Sequence, residues 1–248
     1  MFGWRARIGV LVPPGNPTME PELYRMAPEG VSLHFARLEE AGAAAYASVA
    51  GGAAGLDDRI ESYVRGLPGP ARALSAVRPS VVVFGMTAAS YGPRDRDAAL
   101  VEQLAALTGT VAITAAGAIR TALEHLGVKR LALGTPYPEA ISLQGRAYWE
   151  ALGFTIVGYH RLPDVDNIYA ENEQRAYQLA RAADAPDADA VLLSGTGLPT
   201  ASVLDVLERD LGKPVISSNQ ACLWHALHQA GIRGPVHGFG SLLAGTRP

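Results

Sequence analysis

The 248-residue chain has a single cysteine, Cys222. One thiol cannot close a disulfide within the chain and cannot build a cysteine-clustered metal site, so the expected compartment is the cytoplasm. Charge is also sparse: charged residues make up 18% of the chain and the net charge is −3. No basic stripe stands out, so nucleic acid is not an expected partner. There is no long hydrophobic run. The apolar stretch in MFGWRARIGVLVPP is far shorter than the roughly 20 residues a bilayer crossing needs, so no membrane partner is expected either. Pro13 and Pro14 end that stretch without a small-residue cleavage site, and it reads as a first strand rather than a signal peptide. Standard catalytic signatures are missing too: no Gly-rich phosphate loop, no G-x-S-x-G elbow, no His pair at metal-ligand spacing, no Cys-x-x-Cys. Gly195-Thr196-Gly197 is too short for a dinucleotide fingerprint. No cofactor and no metal are expected.

What the chain does have is apolar content, 48% of its residues, enough for one large core or two halves of roughly 120 residues. Its apolar runs are short, β-branched and bounded by Gly or Pro, with amphipathic helical segments between them. That alternation argues for parallel strands covered by helices on both faces. The order then repeats. Residues 7–13 (RIGVLVP) match 130–136 (RLALGTP), and 31–38 (VSLHFARL) match 155–162 (TIVGYHRL). Residues 80–90 (SVVVFGMTAAS) match 188–199 (ADAVLLSGTGLP), and 110–115 (TVAITA) match 214–218 (PVISS). After each fourth run comes a helix ending in a glycine suited to a left-handed cap, Gly127 and Gly231.

The expected architecture is therefore α/β, in two pseudo-symmetric halves, each a four-stranded parallel sheet flanked by helices. The halves span residues 1–116 and 117–234, and residues 235–248 form a C-terminal segment expected to pack back on the first half. In open α/β sheets ligands sit beyond the carboxyl ends of the strands. The site is expected in the cleft between the halves, at loops 13–18, 85–91, 135–138 and 194–200.

The first loop reads P-P-G-N-P-T-M-E-P-E. Pro14 and Gly15 bring the backbone close to a ligand, and Asn16 can donate or accept. Thr18 is read as the cap of a helix starting at Met19. The third-strand loops, G-M-T-A-A-S and S-G-T-G-L-P-T, each place a Thr (Thr87, Thr196) among small residues. Met86, Ala88, Gly195 and Gly197 complete them. Free N–H groups at such turns suit a carboxylate or an enolate oxygen, although two ordinary capping threonines would look the same. Tyr137 in G-T-P-Y-P can donate its hydroxyl to a carboxylate or simply pack. Asn167 offers a second amide, and Asp164 and Asp166 are bases or turn formers. His160 reads as structural.

These loops resemble the aspartate/glutamate racemase superfamily, and within it the maleate cis-trans isomerase and arylmalonate decarboxylase branch. The likeness runs from Arg7 to about Gly231 and is sharpest at V-P-P-G-N-P-T-M-E-P-E, T-P-Y, D-N and L-L-S-G-T-G-L-P-T. Isomerase-like members carry a cysteine in each third-strand loop, and the decarboxylase keeps the second. Aligned by flanking motifs, these positions are Met86 and Gly195 here, so both thiols are missing. The resemblance implies that Thr87 and Tyr137, with backbone N–H groups near Ala88 and Thr196, stabilise an enediolate. It implies that Asn16 and Asn167 hold substrate carboxylate, and it favours a homo-oligomer.

The leading expectation is a cofactor-independent enzyme acting on a small carboxylic acid or related carbonyl compound, a decarboxylase or isomerase without a catalytic thiol. Tyr137, Tyr91 or a water held by Thr87 and Thr196 would supply the proton. A hydrolase or hydratase using water activated by Asp166 or Glu20 is a second reading. A non-catalytic small-acid binding protein is a third.

Overall fold

The computed structural model describes residues 2–39, 56–91, 95–165 and 167–246. The first series of elements is β1 (Ala6–Val12), α1 (Met19–Met26), β2 (Val31–Arg37), α2 (Leu56–Gly66), α3 (Pro68–Ser75), β3 (Val81–Phe84), α4 (Arg96–Thr108), β4 (Val111–Thr114) and α5 (Ala115–His125). The second is β5 (Arg130–Thr135), α6 (Glu139–Ala151), β6 (Thr155–Arg161), α7 (Glu173–Ala183), β7 (Ala190–Leu193), α8 (Leu204–Leu211), β8 (Val215–Ser217) and α9 (Ser218–Gln229), and α10 (Ser241–Ala244) closes the chain. Among the described residues no helix is long and apolar enough to cross a membrane.

The strands form two four-stranded sheets in the orders β2-β1-β3-β4 and β6-β5-β7-β8, every pairing parallel. Adding four to each strand number in the first order produces the second, as the repeated sequence order requires. Burial explains the composition. The inner strands β3 (VVVF) and β7 (AVLL) are buried at every residue because helices cover both faces, whereas β2 and β6 at the outer edges are mostly half-buried and carry Ser, His and Arg.

Helices α5 and α9 each begin directly after a fourth strand, capped by the hydroxyls of Thr114 and Ser217. Gly127 and Gly231 follow their ends at φ +73° and +77°, in the left-handed region the sequence anticipates. The two helices pack on each other between the sheets, and α9 also reaches β3, β4 and α1 of the first half. The expected division at 116/117 therefore falls inside a continuous helix, since α5 is part of the joint between the halves.

The C-terminal segment departs from expectation. Its bonds run to the second half: Gly240 N–H donates to Asp205, Ser241 N–H and Oγ to Glu208, and Gln220 Nε2 to the Phe239 carbonyl. The two carboxylates on α8 supply acceptors for the unpaired N–H groups at the start of α10, which its own first turn cannot satisfy.

Candidate active site

The loops after β3 and β7 meet directly. Thr196 Oγ1 donates to the Gly85 carbonyl at 2.9 Å and accepts from Asn16 Nδ2 at 3.2 Å. Thr18 Oγ1 donates to the Gly197 carbonyl at 3.0 Å. Thr87 Oγ1 donates to Ser218 Oγ at 3.0 Å, and the same oxygen accepts the Gly195 N–H at 2.8 Å. Met86 and Gly195, at equivalent places in the two halves, thus lie in loops that touch each other and the first turn of α9.

The backbone here is only partly satisfied. The N–H groups of Thr87, Ala88, Thr196 and Gly197 have no acceptor among the described residues, and all four residues are buried. Buried backbone N–H groups are otherwise nearly always paired. The result is two pairs of open donors, one pair from each half.

Tyr137 follows β5 and is 7% exposed. Its hydroxyl lies within reach of the hydroxyls of Thr87 and Ser194, and Tyr91 Oη lies 2.6 Å from Ser194 Oγ. Burial, then the proximity of Tyr91 and Tyr169, holds the Tyr137 phenol well above its ordinary value; burial also pushes Tyr91 up to about 12. Both are neutral hydroxyls at working pH, donors rather than bases.

Gly195 has φ +114°, in the region where L side chains are strained. A Cβ there would stand 3.0 Å from Tyr137 Oη, 3.0 Å from Ile168 Cδ1 and 3.1 Å from Pro136 Cγ. A Cβ on Gly197 would lie 2.7 Å from the Tyr169 ring, which also closes over the exposed Gly15. Ile168 and Tyr169 belong to a short 3-10 turn, Ile168–Ala170, capped by Asn167, whose Oδ1 accepts the Tyr169 N–H at 3.0 Å. Asn167 Nδ2 has no partner among the described residues.

Several expectations change. Thr18 does not cap α1. Asn16 does, its Oδ1 accepting the N–H groups of Thr18 and Met19 at 2.9 and 3.1 Å, because an Asx turn reaches both donors while the Thr18 hydroxyl is drawn to Gly197. Asn16 is 1% exposed with both ends of its amide engaged, so it pins the two loops together. The Thr87 hydroxyl is likewise spent on Ser218 rather than left open. Glu20 is ion-paired with Arg37 at 2.8 Å near the surface, and Asp164 sits in a turn at φ +54°. Asp166 lies outside the described residues. Pro14 is exposed at the rim, while Met86 and Ala88 are buried in the loop wall.

Other residues that build the site had not been singled out. Ser218 and Ser194 join the loops. Glu22, buried on α1, accepts from the N–H groups of Thr200 and Ala201 and from Asn219 Nδ2, and Asn219 also donates to the Thr196 carbonyl. Burial raises the Glu22 carboxyl, against the pull of these donors. The one available signal was the repeat itself: Ser218 and Asn219 stand where the first half has Ala115 and Ala116. Cys222, one turn further along α9, is wholly buried, and burial pushes its thiol upward.

Comparison with known proteins follows the same lines. A family profile described as arylmalonate decarboxylase matches residues 8–243. The chain is 29% identical over 251 residues to a maleate isomerase from Nocardia farcinica, covering 96% of this chain and 95% of that protein. It is 32% identical over 189 residues to an arylmalonate decarboxylase from Bordetella bronchiseptica, covering 71% and 74%. Among solved structures, a maleate isomerase variant from Pseudomonas putida S16 with maleate superposes at TM-score 0.85 with 25% identity, covering 98% of each chain. An arylmalonate decarboxylase superposes at 0.77 with 27% identity, covering 96% of this chain and 98% of that one.

Proposed function

Since the chain belongs to the arylmalonate decarboxylase family, we propose that it is a cofactor-independent decarboxylase of small malonate-type acids that works without a thiol. The observation that carries this reading is the set of open N–H groups at Thr87, Ala88, Thr196 and Gly197. A substituted malonate presents two carboxylates on one carbon. When one leaves as carbon dioxide, negative charge gathers on the oxygens of the other as an enediolate. Fixed donors aimed at that charge in a buried cleft strengthen as it develops, and each is worth about 3–4 kcal/mol of barrier. Asn167 Nδ2, without a partner among the described residues, is a donor for the departing carboxylate, while Tyr137 adds a neutral hydroxyl beside Gly195.

The maleate isomerases among the relatives support a second reading, because a carboxylate-binding cleft also fits a cis-diacid. One Nocardia farcinica maleate cis-trans isomerase structure contains a covalently bound succinylcysteine intermediate. The sole cysteine of this chain is sealed in α9, which closes a covalent cysteine route, whereas decarboxylation needs the N–H donors first and a proton from any source second. Water activation by Glu20 has little support, since that carboxylate is engaged by Arg37.

Incubation with mono- and disubstituted arylmalonates and with maleate tests the assignment, with carbon dioxide release and proton NMR of the products as readouts. Monoacid and carbon dioxide are expected from malonates, and Cys222→Ala should retain the activity. Fumarate from maleate without decarboxylation would move the assignment to isomerase, and no turnover of any acid would remove it.

A further inference from the structure

An enediolate carbon must take up a proton, and the surroundings of the cleft narrow down its source. The thiol of Cys222 is wholly buried. The hydroxyls of Thr18 and Thr196 are committed to the carbonyls of Gly197 and Gly85. The Thr87 hydroxyl is committed to Ser218, and Ser218 is fully buried beneath the loops with two donors on its oxygen. Ser194 is fully buried and paired with Tyr91. Tyr137 is different. Its Oη borders the space that a side chain on Gly195 would enter, 3.0 Å from the missing Cβ. At the equivalent position of the first half stands Met86, whose thioether carries no exchangeable proton.

We propose that Tyr137 delivers its phenolic proton to one face of the enediolate carbon, while Met86 covers the opposite face and delivers none. The assignment rests on the decarboxylase reading. In the step, the Tyr137 O–H bond breaks and a C–H bond forms at the enediolate carbon. The electron pair comes from the enediolate double bond, and the negative charge passes to Oη. The Ser194 hydroxyl, which lies beside Oη, donates to the phenolate while Tyr91 donates to Ser194. Water entering the emptied cleft returns a proton to Oη, and the hydroxide so formed combines with carbon dioxide as bicarbonate. Because burial keeps this phenol protonated, the donor is loaded throughout the neutral and mildly alkaline range.

Delivery from one side makes the product chiral. With a prochiral substrate such as 2-methyl-2-phenylmalonate, the native enzyme should form one enantiomer in excess. Tyr137→Phe should slow carbon dioxide release by about 100-fold, as loss of a transition-state donor does. Its residual product should be racemic, because solvent then protonates both faces. Met86→Ala should also erode the enantiomeric excess by admitting water to the second face. Ser194→Ala should lower kcat about tenfold and leave the excess intact; it gives a second route should Tyr137→Phe not fold. Retained enantiomeric excess in a folded Tyr137→Phe, a racemic product from the native enzyme, or an unchanged kcat in Ser194→Ala would each overturn the donor assignment while decarboxylation stands. No carbon dioxide release from the native enzyme would overturn both.

Discussion

Helices α4 and α8 lie in the same relation to the fourth strands of their sheets, but α4 packs on α3, and among the described residues only α8 is covered by a helix from the C-terminal segment. Over the second half α10 buries Leu242 and Leu243 and is held by Asp205 and Glu208, and Glu208 also accepts the Val215 N–H of β8. Among the described residues, the corresponding ground between α4, β4 and α5 in the first half has no such cover. A cavity of about 770 Å³ remains there, lined by Asp97, Val101, Val111, Arg120 and Tyr148, and Val111 is 47% exposed. The same asymmetry holds at the site. The second half contributes Ser194, Ser218, Asn219 and the side-chain-free Gly195, where the first half has Ala115 and Ala116 at the start of α5 and a methionine at position 86.

Substitutions can break or sharpen that contrast. The largest effect is expected from Ser218→Ala, which strands the Gly195 N–H and the Thr87 hydroxyl. Two buried donors left unpaired at roughly 1–3 kcal/mol each predict a loss of about 2–6 kcal/mol in urea denaturation. The reciprocal Ala115→Ser in the first half should gain nothing of comparable size. Next comes Leu243→Ala, which empties a buried position under α10 and should cost about 2–4 kcal/mol. An equal loss from Val111→Ala on the open side would contradict the claim that only one half is sealed.

The tie between halves at Glu22 predicts a pH effect. Its carboxyl is raised in the folded state, chiefly by burial. The stability it contributes is therefore present below the ordinary carboxylate value and lost as pH rises through the raised one. Glu22→Gln should flatten that decline in a series of melting temperatures. An unchanged slope would mean that another group carries it. The smallest effect is expected from Val111→Thr, within about 0.5 kcal/mol by the same denaturation measurement, because the residue is half exposed at an edge.

The eight strands and their division into two sheets were legible because parallel strands buried on both faces leave apolar runs that stand out against their neighbours, and because the repeat doubled the signal. The helix ends were legible at Gly127 and Gly231 because a left-handed backbone favours glycine over any other residue. The meeting of the loops beyond the strand ends was legible from the rule that such ends face one cleft. The roles within it were less so. Thr18 looks like a cap in sequence, but Asn16 two residues earlier reaches the same N–H groups, and either residue type performs this duty. Glu22 looks like an ordinary helix acid until Thr200, Ala201 and Asn219 are brought against it.

By itself, then, the sequence determined the two sheets, the glycine caps of the joining helices and the loops that meet at the cleft, because each of these leaves a short-range pattern of burial or backbone preference. Only the tertiary structure decided which polar atoms find one another: Asn16 with Thr196 across 180 residues, Thr87 with Ser218 across 131, Glu22 with Asn219 across 197. A hydroxyl or amide has the same composition whatever its partner, so its pairing is fixed only when the fold removes water and leaves one acceptor within reach.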